Sequence, residues 1–272
     1  MPELPEVETI RRDLEKQIIN KRINNVFVLS PEVITTPKPL RFKKLIIGTT
    51  IKKIIRCGKL LIFELKRTNL CPVYLTVHLR MTGQLIVSRI SNRARVSLQL
   101  SNRSFLNFYD QRKLGRLSMV DNWRKISLVR QLGPEPLNKD FTLTRFKQML
   151  KNKKTKIKPL LIDQKFLAGI GNLYAAEILF LSRISPKRIA NSLNEREITS
   201  LYNNIKKVLK LAIKCRGSSV DTYRDAKGEK GTFTRHLKVY ARRDKPCFAC
   251  KTPIKRIVLG GRGTYFCEVC QQ

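Results

Sequence analysis

Apolar residues recur at spacings of three and four near the start of the chain, at Val7, Ile10, Leu14 and Ile18. One helical face over 5–19 carries all four. Pro5 suits the first turn, where a missing N–H costs no hydrogen bond, and Asn20 is placed to end the helix. From Ile23 to about Met119 the period changes to two. The strands expected are 23–29, 50–56, 59–65, 73–79, 84–88, 94–100, 104–109 and 115–119. Val96, Leu98 and Leu100 alternate with Ser97 and Gln99, as in a half-buried strand. Cys57-Gly58 and Ser101-Asn102 fall between strands as turn dipeptides. Many short strands with turn residues predict a sandwich or a flattened barrel.

Gly133-Pro134-Glu135-Pro136 interrupts any regular element. Helical spacing follows, over 141–149, 160–167, 173–182 and about 195–214. Thr142 or Thr144 can cap the first of these. Gly169-Ile170-Gly171 separates the second from the third, and Asn172 is placed to cap the third. Asn194 with Glu197 resembles a capping box. Ile198, Leu201, Ile205, Val208 and Ala212 make the buried stripe of the last. Residues 216–235 are loop-like, and 245–272 form a terminal hairpin. The class is α+β: a helix with an antiparallel β-sandwich over 2–133, a helical region over 134–235, and a small hairpin module over 236–272.

Charge narrows the partner. The 272 residues hold 56 Lys and Arg against 20 Asp and Glu, a formal charge of +36. The excess is spread, +16 over 1–135 and +20 over 136–272, so the whole body faces an anion. A positive field of this size steers nucleic acid. With 42% hydrophobic residues the chain is not disordered. No apolar run approaches the roughly 20 residues of a membrane span, and PELPEVE lacks the basic flank and apolar core of a secretory leader. His78 and His236 have no metal partner in the pattern. The lysines at 151, 153, 154 and 156 read as a solvated face.

Four of the seven cysteines cluster as Cys247-x2-Cys250 and Cys267-x2-Cys270. Each pair lets two thiolates converge from a tight turn, and two such turns at the ends of a hairpin give a tetrahedral sulfur set suited to one structural Zn²⁺. An iron–sulfur centre or redox-active pairs are the other uses of such a set. Four protein ligands leave no position for metal catalysis. Gly260-Gly261-Arg262-Gly263 is the hairpin turn. It presents Arg262 either to a phosphate or to solvent.

The opening Met1-Pro2-Glu3-Leu4-Pro5-Glu6-Val7-Glu8-Thr9 resembles that of the bacterial formamidopyrimidine-DNA glycosylase family. So, in order, do Gly58-Lys59, His78-Leu79-Arg80-Met81-Thr82-Gly83 and Leu132-Gly133-Pro134-Glu135-Pro136. Ile157-Lys158-Pro159 running on to Gly169-Ile170-Gly171-Asn172-Leu173-Tyr174, and the four-cysteine finger, complete the match over nearly the whole chain. The resemblance implies a helix-two-turn-helix domain within 134–235 with a lesion-capping loop near 217–231, mobile without DNA. It also implies removal of 8-oxoguanine and formamidopyrimidines from duplex DNA, with cleavage of the abasic site by β,δ-elimination. Pro2, exposed by removal of Met1, is the implied nucleophile. Glu3 protonates the sugar ring oxygen and shuttles protons. Glu6 orders the site and its water, and Lys59 contacts phosphate and supports elimination. Met81, Arg112 and Leu114 fill the gap left by the flipped base. The resemblance also implies that Lys158 and Asn172 hold phosphates near the lesion, and Arg262 at the hairpin turn is expected to add a phosphate contact.

Residue chemistry agrees with that implication. An N-terminal proline is a secondary amine with a pKa near 7.7–8 in models, and a helix start disfavours extra positive charge on it. Attack at C1′ yields an iminium that makes the C2′ proton removable. Leu114 departs from the family's usual Phe, and Asn92-Arg93-Ala94-Arg95 from its usual His-containing segment. These departures leave a relative tuned to oxidised pyrimidines, of the endonuclease VIII type, as one alternative; Leu4 opposes it. A non-catalytic, zinc-stabilised DNA-binding module is another. The expected setting is a monomer in the cytoplasm, associated with the nucleoid.

Overall fold

A computed structural model of the chain describes residues 1–67 and 71–272. They form two units: Met1–Arg130 with Ile213–Thr234, and Gln131–Ala212 with Arg235–Gln272.

The first unit opens with helix α1 (Leu4–Ile18), whose Val7, Ile10, Leu14 and Ile18 are fully buried on the predicted face. Glu3 is the N-cap, in a capping box with Glu6. Beyond Ile19 the chain leaves the helix, and Asn20 turns it in a left-handed conformation (φ +62°). Its amide donates to the Ile51 carbonyl at 2.8 Å, so the helix end is fastened to a strand.

The strands are β1 (Ile23–Val28), β2 (Ile34–Thr36), β3 (Thr50–Cys57), β4 (Leu60–Lys66), β5 (Val73–His78), β6 (Gln84–Ser88), β7 (Val96–Leu100), β8 (Phe105–Tyr109) and β9 (Arg116–Val120). Among the described residues they make two open sheets, β1-β7-β8-β6 and β2-β9-β5-β4-β3. All pairings are antiparallel except β2 with β9. Neither sheet closes, so the sandwich alternative holds over the barrel. Leu61, Phe63, Leu75, Val77 and Leu117 from one sheet share a core with Val96, Leu98, Leu106 and Phe108 from the other, and with α1. Cys57 pairs with Leu60, which leaves Gly58-Lys59 as a two-residue turn. Lys59 therefore sits in the turn, where the sequence pattern put it at a strand start.

Two elements here have no counterpart in the hydrophobic pattern, strand β2 and helix α2 (Pro39–Ile46). Helix α2 buries only Phe42 and Ile46, too few positions to show a period. A single turn, α3 (Ser127–Arg130), ends this stretch.

The second unit holds α4 (Leu143–Leu150), α5 (Ile157–Ile162), α6 (Asn172–Leu181) and most of α7 (Glu195–Lys214). Thr142 caps α4 through its hydroxyl. The Asn194–Glu197 box forms at 2.8 and 2.9 Å. Helix α5 starts earlier than its pattern predicts, because Pro159 fits inside a first turn whose amides need no helical partner. Helix α6 is buried on nearly every side, from Leu173 to Phe180, as a central helix must be. Its N-cap is Gly171, not Asn172; the Asn172 side chain is used elsewhere. The finger pairs β10 (Lys255–Leu259) with β11 (Arg262–Phe266). Its turn is Gly260-Gly261 alone, both left-handed as such two-residue turns require. Arg262 thus begins a strand.

Leu14 anchors α1 to the first core. Leu14→Ala should cost about 2–5 kcal/mol, read by urea unfolding through Trp123, the chain's single tryptophan. A loss below about 0.5 kcal/mol, the usual range of surface changes, would show that the helix is held some other way.

Candidate active site and metal centre

Pro2 and Glu3 lie buried immediately ahead of α1. Glu6, one turn in, is also buried, and each of its oxygens has an amide: Oε2 accepts from Glu3 and Oε1 from Ser218, both at 2.8 Å. One carboxylate so joins the helix start to the 217–231 loop. Gly217 makes the approach possible. It is left-handed (φ +82°), and a β-carbon there would lie 2.9 Å from Glu6 Cγ and 3.0 Å from Tyr223 Cε1. Exposed Met1 places its ammonium 3.5 Å from Asp221.

Glu8 faces another set of partners. It accepts from Arg11, Arg12 and Arg56 at 2.7–3.1 Å. Burial alone would raise its pKa, but hydrogen bonds from Arg11 and Arg12 and the charge of Arg56 bring it down to about 2. Arg56 also donates to the Gly58 carbonyl at 3.0 Å. The Lys59 turn is therefore fastened to α1 through a permanently charged pair.

Met81 follows β5, and Arg112 and Leu114 lie between β8 and β9. Met81 and Leu114 are exposed (40% and 38%), and the Arg112 guanidinium faces Met81 Sδ at 3.2 Å. Beneath them Asp110 is buried. It accepts from the Thr82 hydroxyl, from the Arg112 amide at 3.3 Å and from the Gly115 amide at 2.6 Å. Arg95, from the segment that departs from the family pattern, donates to the Asp110 carbonyl at 2.9 Å. Two exposed loop tips thus rest on one carboxylate. Asp110 and Arg56 escape sequence reasoning, and Thr82 and Glu8 enter it only as members of the His78–Gly83 and Met1–Thr9 motifs, without these partners. Their only signal is adjacency to residues already singled out.

In the second unit Lys158 is 1% exposed. Its ammonium donates to Asn172 Oδ1 (2.5 Å), Thr264 Oγ1 (2.8 Å) and the Gly263 carbonyl (3.4 Å). Asn172 Nδ2 reaches the same carbonyl at 3.0 Å. Lys158 and Asn172 therefore grip the turn end of the finger hairpin, next to exposed Arg262. The buried ammonium is thus bound within the protein, to a side chain of α6 and to two residues of β11. Glu177 of α6 works in the same way. Its buried carboxylate accepts the amides of Lys238, Val239 and Tyr240 at 2.7–3.0 Å. Burial raises its pKa despite those three bonds.

The four terminal cysteines bring their sulfurs within 4.8 Å of one another. Cys247–Cys270 and Cys250–Cys267 are 3.8 and 3.3 Å apart. Zn–S bonds of about 2.3 Å set tetrahedral sulfurs about 3.8 Å apart, so the set fits one zinc ion. Among the described residues it is the one group of this kind.

Three family models match the chain in order. The formamidopyrimidine-DNA glycosylase N-terminal domain covers 1–117, its H2TH domain 132–224, and the zinc finger found in FPG and IleRS 244–272. The formamidopyrimidine-DNA glycosylase of Herpetosiphon aurantiacus is 45% identical, with all of both chains covered. The chain belongs to the formamidopyrimidine-DNA glycosylase family. Solved structures of the family agree in fold. The Lactococcus lactis Fpg with abasic-site DNA superposes with a TM-score of 0.90 at 36% identity, covering 99% of each chain. A MutM complex with DNA containing carbocyclic 8-oxo-G gives 0.88 at 35%, covering all of both. In family terms, Pro2 through Leu114 lie in the N-terminal domain model, Lys158 and Asn172 in the H2TH model, and Arg262 with the four cysteines in the finger model.

His78 sits in this family's N-terminal domain beside Lys59 and Arg80. Burial, then the charges of Arg80 and Lys59, push its pKa from 6.5 to about 4; its Nδ1 accepts the Arg80 amide at 3.0 Å. Between those values the unfolded chain binds a proton that the folded chain refuses. The stability His78 contributes is therefore complete above pH 6.5 and lost as pH falls toward about 4. His78→Asn should flatten the dependence of the urea midpoint on pH across that window. An unchanged slope would assign it to another group. Metal analysis should find one zinc per chain, and Cys250→Ala should abolish it. Full zinc retention in that variant would show that the metal sits elsewhere.

Proposed function

We propose that this chain excises oxidised purines, 8-oxoguanine and formamidopyrimidines, from duplex DNA and then cleaves the strand as an abasic-site lyase. The chain is a DNA glycosylase of the formamidopyrimidine family, and lyase activity is typical of that family. The observation that carries the residue-level reading is the arrangement at the start of α1. Pro2, Glu3 and Glu6 are buried together, and Glu6 is held against the 217–231 loop.

In this reading removal of Met1 frees the Pro2 nitrogen as a secondary amine. It attacks C1′ and the glycosidic bond breaks, so that the base leaves with a proton. Glu3 donates a proton to the ring oxygen as the sugar opens to an iminium. Loss of the C2′ proton expels the 3′ phosphate, and a second elimination expels the 5′ phosphate. Lys59 offers a compact positive charge to the phosphate. The base must leave the stack first. Met81, Arg112 and Leu114 enter the space behind it, with Arg112 donating to the orphaned partner base. The loop at 217–231 receives the flipped base. Asn172, oriented by Lys158, and Arg262 hold phosphate. Bound zinc keeps the finger folded and takes no part in the chemistry. The protein works on DNA as a monomer, in the cytoplasm and associated with the nucleoid. Among the described residues no helix is long and apolar enough to cross a membrane.

Borohydride trapping on a duplex with one 8-oxoguanine opposite cytosine tests the reading. Mass spectrometry should place the adduct on an N-terminal Pro2, with free base released. A strong preference for thymine glycol would favour the endonuclease VIII-type reading that Leu114 leaves open. Processed protein that binds but traps on neither lesion nor abasic DNA would leave only the binding-module reading.

A further inference from the structure

The loop that follows α7 is bound to α1 at a second point, further along the helix than Glu6. Arg216, itself left-handed (φ +59°), places Nη2 2.5 Å from Asp13 of α1 and 2.5 Å from Asp225, and its Nε donates to Asp225 at 3.0 Å. Both carboxylates are buried, the Asp225 side chain completely. Asp225 also builds the far limb of the loop. Its Oδ1 accepts the amides of Lys227 and Glu229 at 2.9 Å each. Its own amide donates to the Glu229 carbonyl, and its carbonyl accepts from Gly228. Removing the single guanidinium would leave two carboxylates without their shared cation, a costly state for buried charge. A lysine has no planar fork, so it could not meet Asp225 through two nitrogens while also reaching Asp13.

Between the two fastenings lie Ser218 and Tyr223. The Ser218 hydroxyl and the Tyr223 hydroxyl are buried and have no hydrogen-bond partner among the described residues. Buried polar groups are nearly always satisfied, so an orphaned pair points to a polar ligand. Gly217 lies between Glu6 and Tyr223, which puts this stretch beside the helix start. Elsewhere the loop is well supplied. Ser219 donates to the Tyr223 carbonyl, Gln84 donates to the Thr222 carbonyl at 2.5 Å, and the Val87 amide donates to Ala226.

We propose that Asp13, Arg216 and Asp225 form an ionic latch that ties both limbs of the 217–229 loop to α1, so that the base-receiving segment between them, though mobile, stays close to its working position before a base arrives. The proposal rests on the assignment of this loop to the flipped base. Arg216 and Asp225 are positioning residues in this scheme: they touch neither base nor sugar. A loop that must be ordered on each encounter lowers the competent fraction and weakens productive binding in proportion. Base excision pays this penalty. Elimination at a preformed abasic site, with no base to receive, does not.

The test uses full-length wild type, Arg216→Gln, Arg216→Lys and Asp13→Asn. Three readouts are needed: amide hydrogen exchange of the free protein, single-turnover release of 8-oxoguanine, and elimination on a preformed abasic duplex. In Arg216→Gln, exchange at 217–229 should speed up and excision should slow by about tenfold, with elimination within about twofold. Arg216→Lys should recover little. Unchanged exchange would overturn the latch, and faster exchange with wild-type excision would overturn its role in positioning. If excision and elimination fall together, Asp13→Asn decides, because it cuts only the α1 arm. A fall confined to excision there supports the latch, and a joint fall overturns it. Wild-type protein that released no base would sink the functional reading and the loop's role, while the exchange arm would still report on the latch itself.

Discussion

Glu6 sets one carboxylate between two amides, that of Glu3 and that of Ser218, the second 212 residues along the chain from Glu6 itself. Much of the first unit is arranged to allow it. The capping box starts α1 at Leu4, and the buried stripe from Val7 to Ile18 seats the helix on the shared core of the two sheets. Gly217 brings the returning chain within reach from the other side. A carboxylate desolvated in this way is tolerable only while its oxygens have donors, so the helix start and the loop are coupled. Disturbing either one strands the charge.

The second unit relies on the same economy with different groups. Lys158 and Glu177 are opposite charges buried in neighbouring helices, and each is spent on backbone and side-chain partners in or near the finger: Gly263 and Thr264 for the lysine, the amides of 238–240 for the glutamate. Gly260 lies against Pro159, where a β-carbon would come within 3.3 Å of the ring. The orientation of Arg262 is therefore a property of α5 and α6 as much as of the hairpin that bears it.

Sequence reasoning reached the elements whose signals are local. The α1 stripe, the alternation in β7, the Asn194–Glu197 box and the cysteine spacing each depend on residues a few positions apart, and each is present. It failed where a short element buries too little to show a period, as in α2, and where two equally plausible uses of a side chain compete. Asn172 could cap a helix or bind a lysine fourteen residues away; the buried ammonium of Lys158, invisible in the sequence, decides the matter. Asp110 and Arg56 are harder still. They matter because of what two distant turns require, and no spacing encodes that.

The acidic residues have a further consequence. Of the 20 in the chain, Glu3, Glu6, Glu8, Asp13, Asp110, Glu177 and Asp225 are buried and occupied with amides, hydroxyls and guanidiniums. Those carboxylates are largely withdrawn from the solvent-facing surface, while most lysines and arginines remain there. The outside of the protein is thus more one-sided than its formal charge of +36 conveys. Such a surface meets a polyphosphate backbone already wrapped in condensed cations, and each phosphate it neutralises frees one of them. Part of the free energy of binding is then entropy stored in the DNA's own ionic atmosphere, released wherever the protein lands. By using seven of its 20 acids as internal ligands, the fold lessens how far surface carboxylates offset that reserve.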